Sequence, residues 1–201
     1  MFFSDKSANA RSARNPLPPK IAALLRESWW LAFLALALYL LLILLTYRKT
    51  DPGWSHSLEA AQIGNAGGVV GAYISDLMLA GFGISAYWWV VLCGALVWWG
   101  FRRIEKVTET DRRSYAVALA GFALVLVSSS GIEAARLHSL QAALPFAPGG
   151  VLGGLVGDGL SRAFGFTGGT LLLLIVFAAG LSLFSGISWL TVIERLGAGL
   201  E

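Results

Sequence analysis

The chain has 201 residues, of which 56% are apolar and only 13% charged, against roughly 25% charged in ordinary soluble domains. Such a chain has too little polar surface to cover a soluble fold and too much apolar content for a disordered one. A lone cysteine, Cys93, excludes a disulfide framework, and what remains is an integral membrane protein.

Taken in chain order, residues 1–27 read as a polar cytoplasmic tail. Asn15-Pro16-Leu17-Pro18-Pro19 predicts an extended tether. Ile21, Leu24 and Leu25, set between Lys20 and Arg26, fit either a short helix on the cytoplasmic leaflet or a helical extension of the first apolar run. A secretory signal would bring its apolar run sooner and end on small residues, whereas here the run ends at Thr46-Tyr47-Arg48-Lys49-Thr50. The first apolar run is therefore expected to stay as an anchor.

Four uncharged apolar stretches, at residues 28–47, 81–101, 114–132 and 170–193, approach the ~20 helical residues that cross about 30 Å of hydrocarbon. None alternates as a barrel strand does. The fold class is an all-α integral membrane protein with four transmembrane helices. Its membrane domain covers 28–197, and 198–201 begin a cytoplasmic linker. Ahead of the second stretch the apolar region starts at Val69, but Asp76, Gly81 and Gly83 interrupt it, so residues 65–80 predict a separate, shallow helix.

Basic residues set the orientation. Lys6, Arg11, Arg14, Lys20 and Arg26 precede the first span, Arg102, Arg103, Lys106, Arg112 and Arg113 lie between the second and third, and Arg195 comes after the fourth. Only Arg48, Lys49, Arg136 and Arg162 fall on the other side, which predicts an N-in/C-in topology with short helical segments in two periplasmic loops. Trp29-Trp30, Trp98-Trp99 and Trp189 then fall at cytoplasmic ends, where indoles favour the interface. Trp88-Trp89 come about 15 Å of helix before Trp98, a depth that suits helix packing better than an interfacial belt.

The chemistry of an enzyme or a pump is not legible. No ionisable residue lies within the four stretches, which argues against an ion-coupled transporter. No Gly-Lys pair offers a phosphate loop. His56 and His138 stand in different outer loops without a metal-binding pattern. Ser128-Ser129-Ser130 has no nucleophile elbow and reads as helix-end hydroxyls, while Cys93 reads as a small packing residue. No cofactor, metal or catalytic residue is expected, and no direct nucleic-acid contact.

Glycine carries the strongest pattern. Nine of the 21 residues from 149 to 169 are glycine, and Gly149, Gly153 and Gly157, with Gly150 and Gly154, recur four apart. Such a face lets another backbone approach closely, either within the chain or between subunits. Gly67 and Gly71 offer a second such face, and Ala178, Ser182 and Gly186 a third along the last span. Asp76, Glu133, Asp158 and Arg162 suggest a polar network in the outer segments, with Asp158 and Arg162 in the favourable order for a helical ion pair. Trp54 beside Pro52-Gly53, and Phe146 within Leu144-Pro145-Phe146-Ala147-Pro148, are apolar side chains on stiff backbone. They suit docking of a partner or rest at the lipid interface.

In order, Asp51-Pro52-Gly53-Trp54-Ser55, Asn65-Ala66-Gly67-Gly68-Val69-Val70-Gly71-Ala72, Asp76-Leu77-Met78 and Phe82-Gly83 resemble the N-terminal four-span membrane domain of the FtsK family of bacterial DNA translocases. Pro148-Gly149-Gly150-Val151-Leu152-Gly153 and Phe164-Gly165-Phe166-Thr167-Gly168-Gly169 extend the likeness, which covers about Trp29 to Gly197. The resemblance implies a multi-pass protein of the bacterial inner membrane at the division septum. It implies a motor elsewhere in the full-length protein, contacts with divisome proteins such as FtsZ, FtsQ, FtsL and FtsI, and homo-oligomerisation. The expectation is a non-catalytic anchor and scaffold; the alternative is a subunit of a membrane transporter or oligomeric pore.

Overall fold

The computed structural model describes residues 18–55, 63–102, 112–137 and 144–189. Lys6, His56, Lys106, His138 and Ser139, and the linker residues 198–201, lie outside the described residues. Among the described residues there is no strand.

Helix α1 runs unbroken over Pro19–Leu45, with proline at its first turn, where a missing N–H breaks no intrahelical bond. Ile21 and Leu24 are thus part of the same helix as the first apolar stretch. The helix stops at Thr46, whose amide and hydroxyl both donate to the Leu42 carbonyl. Helix α2, Gly68–Phe82, ends where Gly83 takes φ 62° and ψ −142°, a backbone open to glycine, and a 3-10 segment, Gly83–Tyr87, leads into α3, Trp88–Arg102. Helix α4, Arg112–Arg136, continues a full turn beyond Ile132 and carries Glu133 on its last turns.

Helix α5 covers Gly150–Ser185, but Gly165 at φ 69° and ψ 170° divides it. We refer to residues 150–164 as α5a and 166–185 as α5b. The bend is sharp: a Cβ built on Gly169 would meet the Leu160 carbonyl carbon at 3.1 Å, whereas nine residues of straight helix would hold them about 13 Å apart. The last apolar run does not continue as one helix to residue 193, because Gly186, left-handed at φ 72°, terminates it after Ser185.

Among the described residues, four helical stretches, Glu27–Leu45, Gly68–Trp99, Tyr115–Arg136 and Gly150–Ser185, are long and apolar enough to cross a membrane. Helix α5b runs antiparallel to α4, since Thr170 meets Arg136, Leu173 meets Gly131 and Phe184 meets Gly121. Close approach comes from Gly121 and Gly180: a Cβ on Gly180 would lie 2.9 Å from the Val125 nitrogen. One core joins α1, α2 and α3 through Leu40, Ile43, Leu44, Leu79 and Cys93. A second joins α3, α4 and α5b around Leu92, Phe122, Leu126 and Phe184. Trp88 and Trp89 belong to this packing: Trp89 meets Phe122 edge-on at 5.2 Å, and Trp88 meets Phe177 at 6.0 Å. Leu31, Leu38, Leu171 and Ile175 face outward, as lipid-contacting positions of a bundle do.

Candidate functional site

Among the described residues, most of the polar side chains withdrawn from solvent gather at one end of the bundle, in two junctions each built on carboxylates. The first begins where α1 ends. Asp51, buried, accepts from the amides of Gly64 and Asn65, each at 2.8 Å, and so fixes the approach to α2. Asn65 Nδ2 donates to the Ile43 carbonyl at 2.9 Å and to Ser75 Oγ at 3.3 Å, while its Oδ1 accepts from the Gly67 amide. Asp76, 1% exposed on α2, accepts from the Ser55 amide at 2.6 Å, from Ser55 Oγ at 2.8 Å and from Tyr47 Oη at 3.0 Å. Burial, and after it the bond to Asp76, pushes the Tyr47 hydroxyl well above its ordinary value, so it remains a donor. Gly53 sits against this carboxylate, since a Cβ there would lie 2.7 Å from Asp76 Cγ. The segment 51–55 is stitched down at both ends, and Trp54 projects from it 65% exposed.

The second junction forms where α2 gives way to the 3-10 segment and α5a begins. Glu133, 8% exposed on α4, accepts from the Ile84 amide at 2.9 Å and the Gly149 amide at 3.0 Å, and Ser85 Oγ donates to its other oxygen. One carboxylate thus caps two helix N-termini, where it satisfies orphan amides and meets the positive ends of two dipoles. Ser85 Oγ also pairs with Ser129 Oγ at 2.6 Å, and Ser130 Oγ donates to the Phe82 carbonyl. The middle of the serine run therefore ties α4 to the 3-10 segment, while Ser128 bonds back to the Leu124 carbonyl within its own helix.

The glycine faces are used inside the chain. A Cβ on Gly149 or Gly153 would overlap the Ser130 carbonyl oxygen, and one on Gly157 would lie 3.1 Å from the Gly131 carbonyl, so this face receives the end of α4. A Cβ on Gly71 would lie 2.8 Å from Ile43 Cγ2, and one on Gly67 would overlap the same methyl and come within 3.1 Å of Tyr39 Oη, so the 67/71 face receives α1. The third pattern is not one helical face. Gly186 lies past the end of α5, Ser182 Oγ bonds the Ile187 carbonyl, and the Ala178 carbonyl accepts the Trp189 indole at 2.9 Å. Asp76 and Glu133 are hubs of separate junctions rather than of one network. Asp158 and Arg162 lie exposed on α5a and enter neither. Phe146, like Trp54, is exposed, at 49%.

Tyr47, Asp51, Ser55, Asn65, Ser75 and Ser85 are junction residues that the residue pattern did not single out as a site. Their signal was present as polar side chains among apolar neighbours and glycines, a place where burial demands hydrogen-bond partners. Among the described residues no group of three His, Cys, Asp or Glu is placed to hold a metal. We expect Asp76→Ala to release residues 48–55: tryptic cleavage after Arg48 or Lys49 should rise about tenfold, the effect of a net loss of ~1.4 kcal/mol in local stability. Unchanged cleavage would mean that Asp76 does not hold the segment.

The family model for the 4TM region of DNA translocase FtsK/SpoIIIE matches residues 22–197. DNA translocase FtsK 2 of Ralstonia nicotianae is 50% identical over 100% of this chain and 26% of its own length. DNA translocase FtsK of Shewanella oneidensis is 37% identical over 81% of this chain and 18% of its own. That of Pseudomonas syringae pv. syringae is 35% identical over 86% and 22%. The chain spans about a quarter or less of the length of these relatives. No solved structure matches it.

Proposed function

The chain belongs to the family of the 4TM region of FtsK/SpoIIIE DNA translocases, and on that premise we propose that it anchors such a translocase in the bacterial inner membrane. The matched region is the membrane region, and catalysis is not assigned to it. The anchor has both termini in the cytoplasm, sits at the division septum and contacts FtsZ, FtsQ, FtsL and FtsI. It gathers as a homo-oligomer with the motor and touches no DNA itself. The observation that carries this reading is that the matched residues 22–197 include the four long apolar helices found among the described residues. The two junctions support it further, because their carboxylates are taken up by backbone amides and hydroxyls of the chain itself.

The test is a full-length translocase in which residues 22–197 are exchanged for an unrelated four-span bundle of the same topology. The hybrid should remain in the membrane but lose septal recruitment and recovery of division proteins. Retained septal recruitment would reduce this region to a tether, and specific ion flux through liposomes holding the purified chain would overturn the anchor reading. Topology has its own test in a Cys93-free background. Cysteines at Lys6 and Lys106 should resist an impermeant thiol reagent applied outside spheroplasts, and those at Thr50 and Ser139 should react. Labelling at 106 from outside refutes the arrangement.

Trp54 and Phe146 are the proposed contacts for periplasmic partners. Trp54→Ala or Phe146→Ala should leave abundance intact and weaken partner recovery. Falling abundance with unchanged recovery would assign both to folding.

A further inference from the structure

We propose that α5a is a re-entrant helix whose outward stripe, Val151, Leu155, Asp158 and Arg162, docks into the phospholipid leaflet at the Arg136 end of α4. Two independent observations carry this. The first is depth. Helix α5a does not cap the bundle from above: Gly149 and Gly153 rest on Ser130, and Val156 and Leu173 both touch Gly131, which sets α5a beside the outer part of α5b. Ser130 lies six residues before Arg136, about 9 Å of helix, within the ~5–10 Å to which interfacial helices sink below the headgroups. Gly165, by contrast, marks the shallow end, where α5b begins its crossing.

The second observation is polarity along the stripe. Val151 and Leu155, near the deep N-terminus, are 54% and 72% exposed in the chain alone. Asp158 and Arg162, also exposed, come next toward the bend. An ordinary surface helix is divided around its circumference, apolar on one side and polar on the other. This outward stripe instead changes from apolar to charged along its length, as a helix tilted into a leaflet requires. Its N-terminus is buried, and Glu133 supplies the acceptor for the Gly149 amide. Arg162 at the shallow end has the charge to meet lipid phosphate and the length to reach it.

The proposal does not depend on the division role. A nitroxide is attached to Leu155→Cys, and separately to Val151→Cys and Asp158→Cys, in the full chain with Cys93→Ala. The protein is reconstituted in phosphatidylethanolamine/phosphatidylglycerol vesicles. Collision with oxygen should exceed that with a water-soluble nickel chelate about fivefold at 151 and 155, with depths of about 5–10 Å, and the order should reverse at 158. Arg162→Glu should raise nickel access at 155. Free access of nickel at 151 and 155 would show the stripe to be in water, and low access of both probes would show it covered by protein. Either result overturns the proposal.

Discussion

Glu133→Ala is expected to lower the unfolding free energy of the chain in detergent micelles by on the order of 4 kcal/mol, among the largest effects of any single side-chain truncation. The carboxylate is the acceptor for the Ile84 and Gly149 amides and the Ser85 hydroxyl. Each such buried donor left alone costs about 1–3 kcal/mol. Relaxation around the smaller side chain recovers part of that sum. Glu133→Gln keeps one acceptor oxygen but turns an amide against donors, so it should fall between parent and alanine. Chemical or thermal unfolding monitored by circular dichroism reads the order. A Glu133→Ala protein that unfolds with the parental midpoint would show that the junction is held by packing alone.

Neighbouring glycines should respond in opposite directions. Gly153→Val forces a branched side chain into the Ser130 carbonyl, where α5a rests on α4, and should destabilise by about 3 kcal/mol. Gly154, one residue on, has nothing within 4 Å of an added Cβ, so Gly154→Ala should be neutral or stabilise by up to about 1 kcal/mol through helix propensity. The same unfolding measurement applies to both. If the two variants shift together, the close contact of α5a with α4 is wrong. The contrast matters for assembly, because it assigns the Gly149/Gly153/Gly157 face to the chain's own packing and leaves Gly154 on an open side.

The four apolar stretches, the helical class and the family were legible in the sequence, because a bilayer admits few solutions. A span needs a long uncharged run, and the backbone must satisfy itself as a helix. The glycine spacing announced close packing, and Cys93 and the Trp88-Trp89 pair were readable as core. What the sequence did not determine was which surfaces those glycines meet. Gly149, Gly153 and Gly157 fit a partner helix from any source, and only the packing of α5a on α4 makes that partner Ser130–Ala135. The bend at Gly165 was equally hidden, since a glycine among many sits in a straight helix as readily as in a break until its neighbours compel one conformation. Glu133 shows the same limit. Its charge one residue past an apolar run marks the end of a span, yet the folded chain continues the helix and brings two distant N-termini, at Ile84 and Gly149, to its carboxylate. Local composition determined that the chain crosses the membrane as helices, because transfer into lipid depends on each segment by itself. The tertiary structure decided which polar groups satisfy one another, because hydrogen bonds over separations of 16 and 49 residues exist only once the helices have packed.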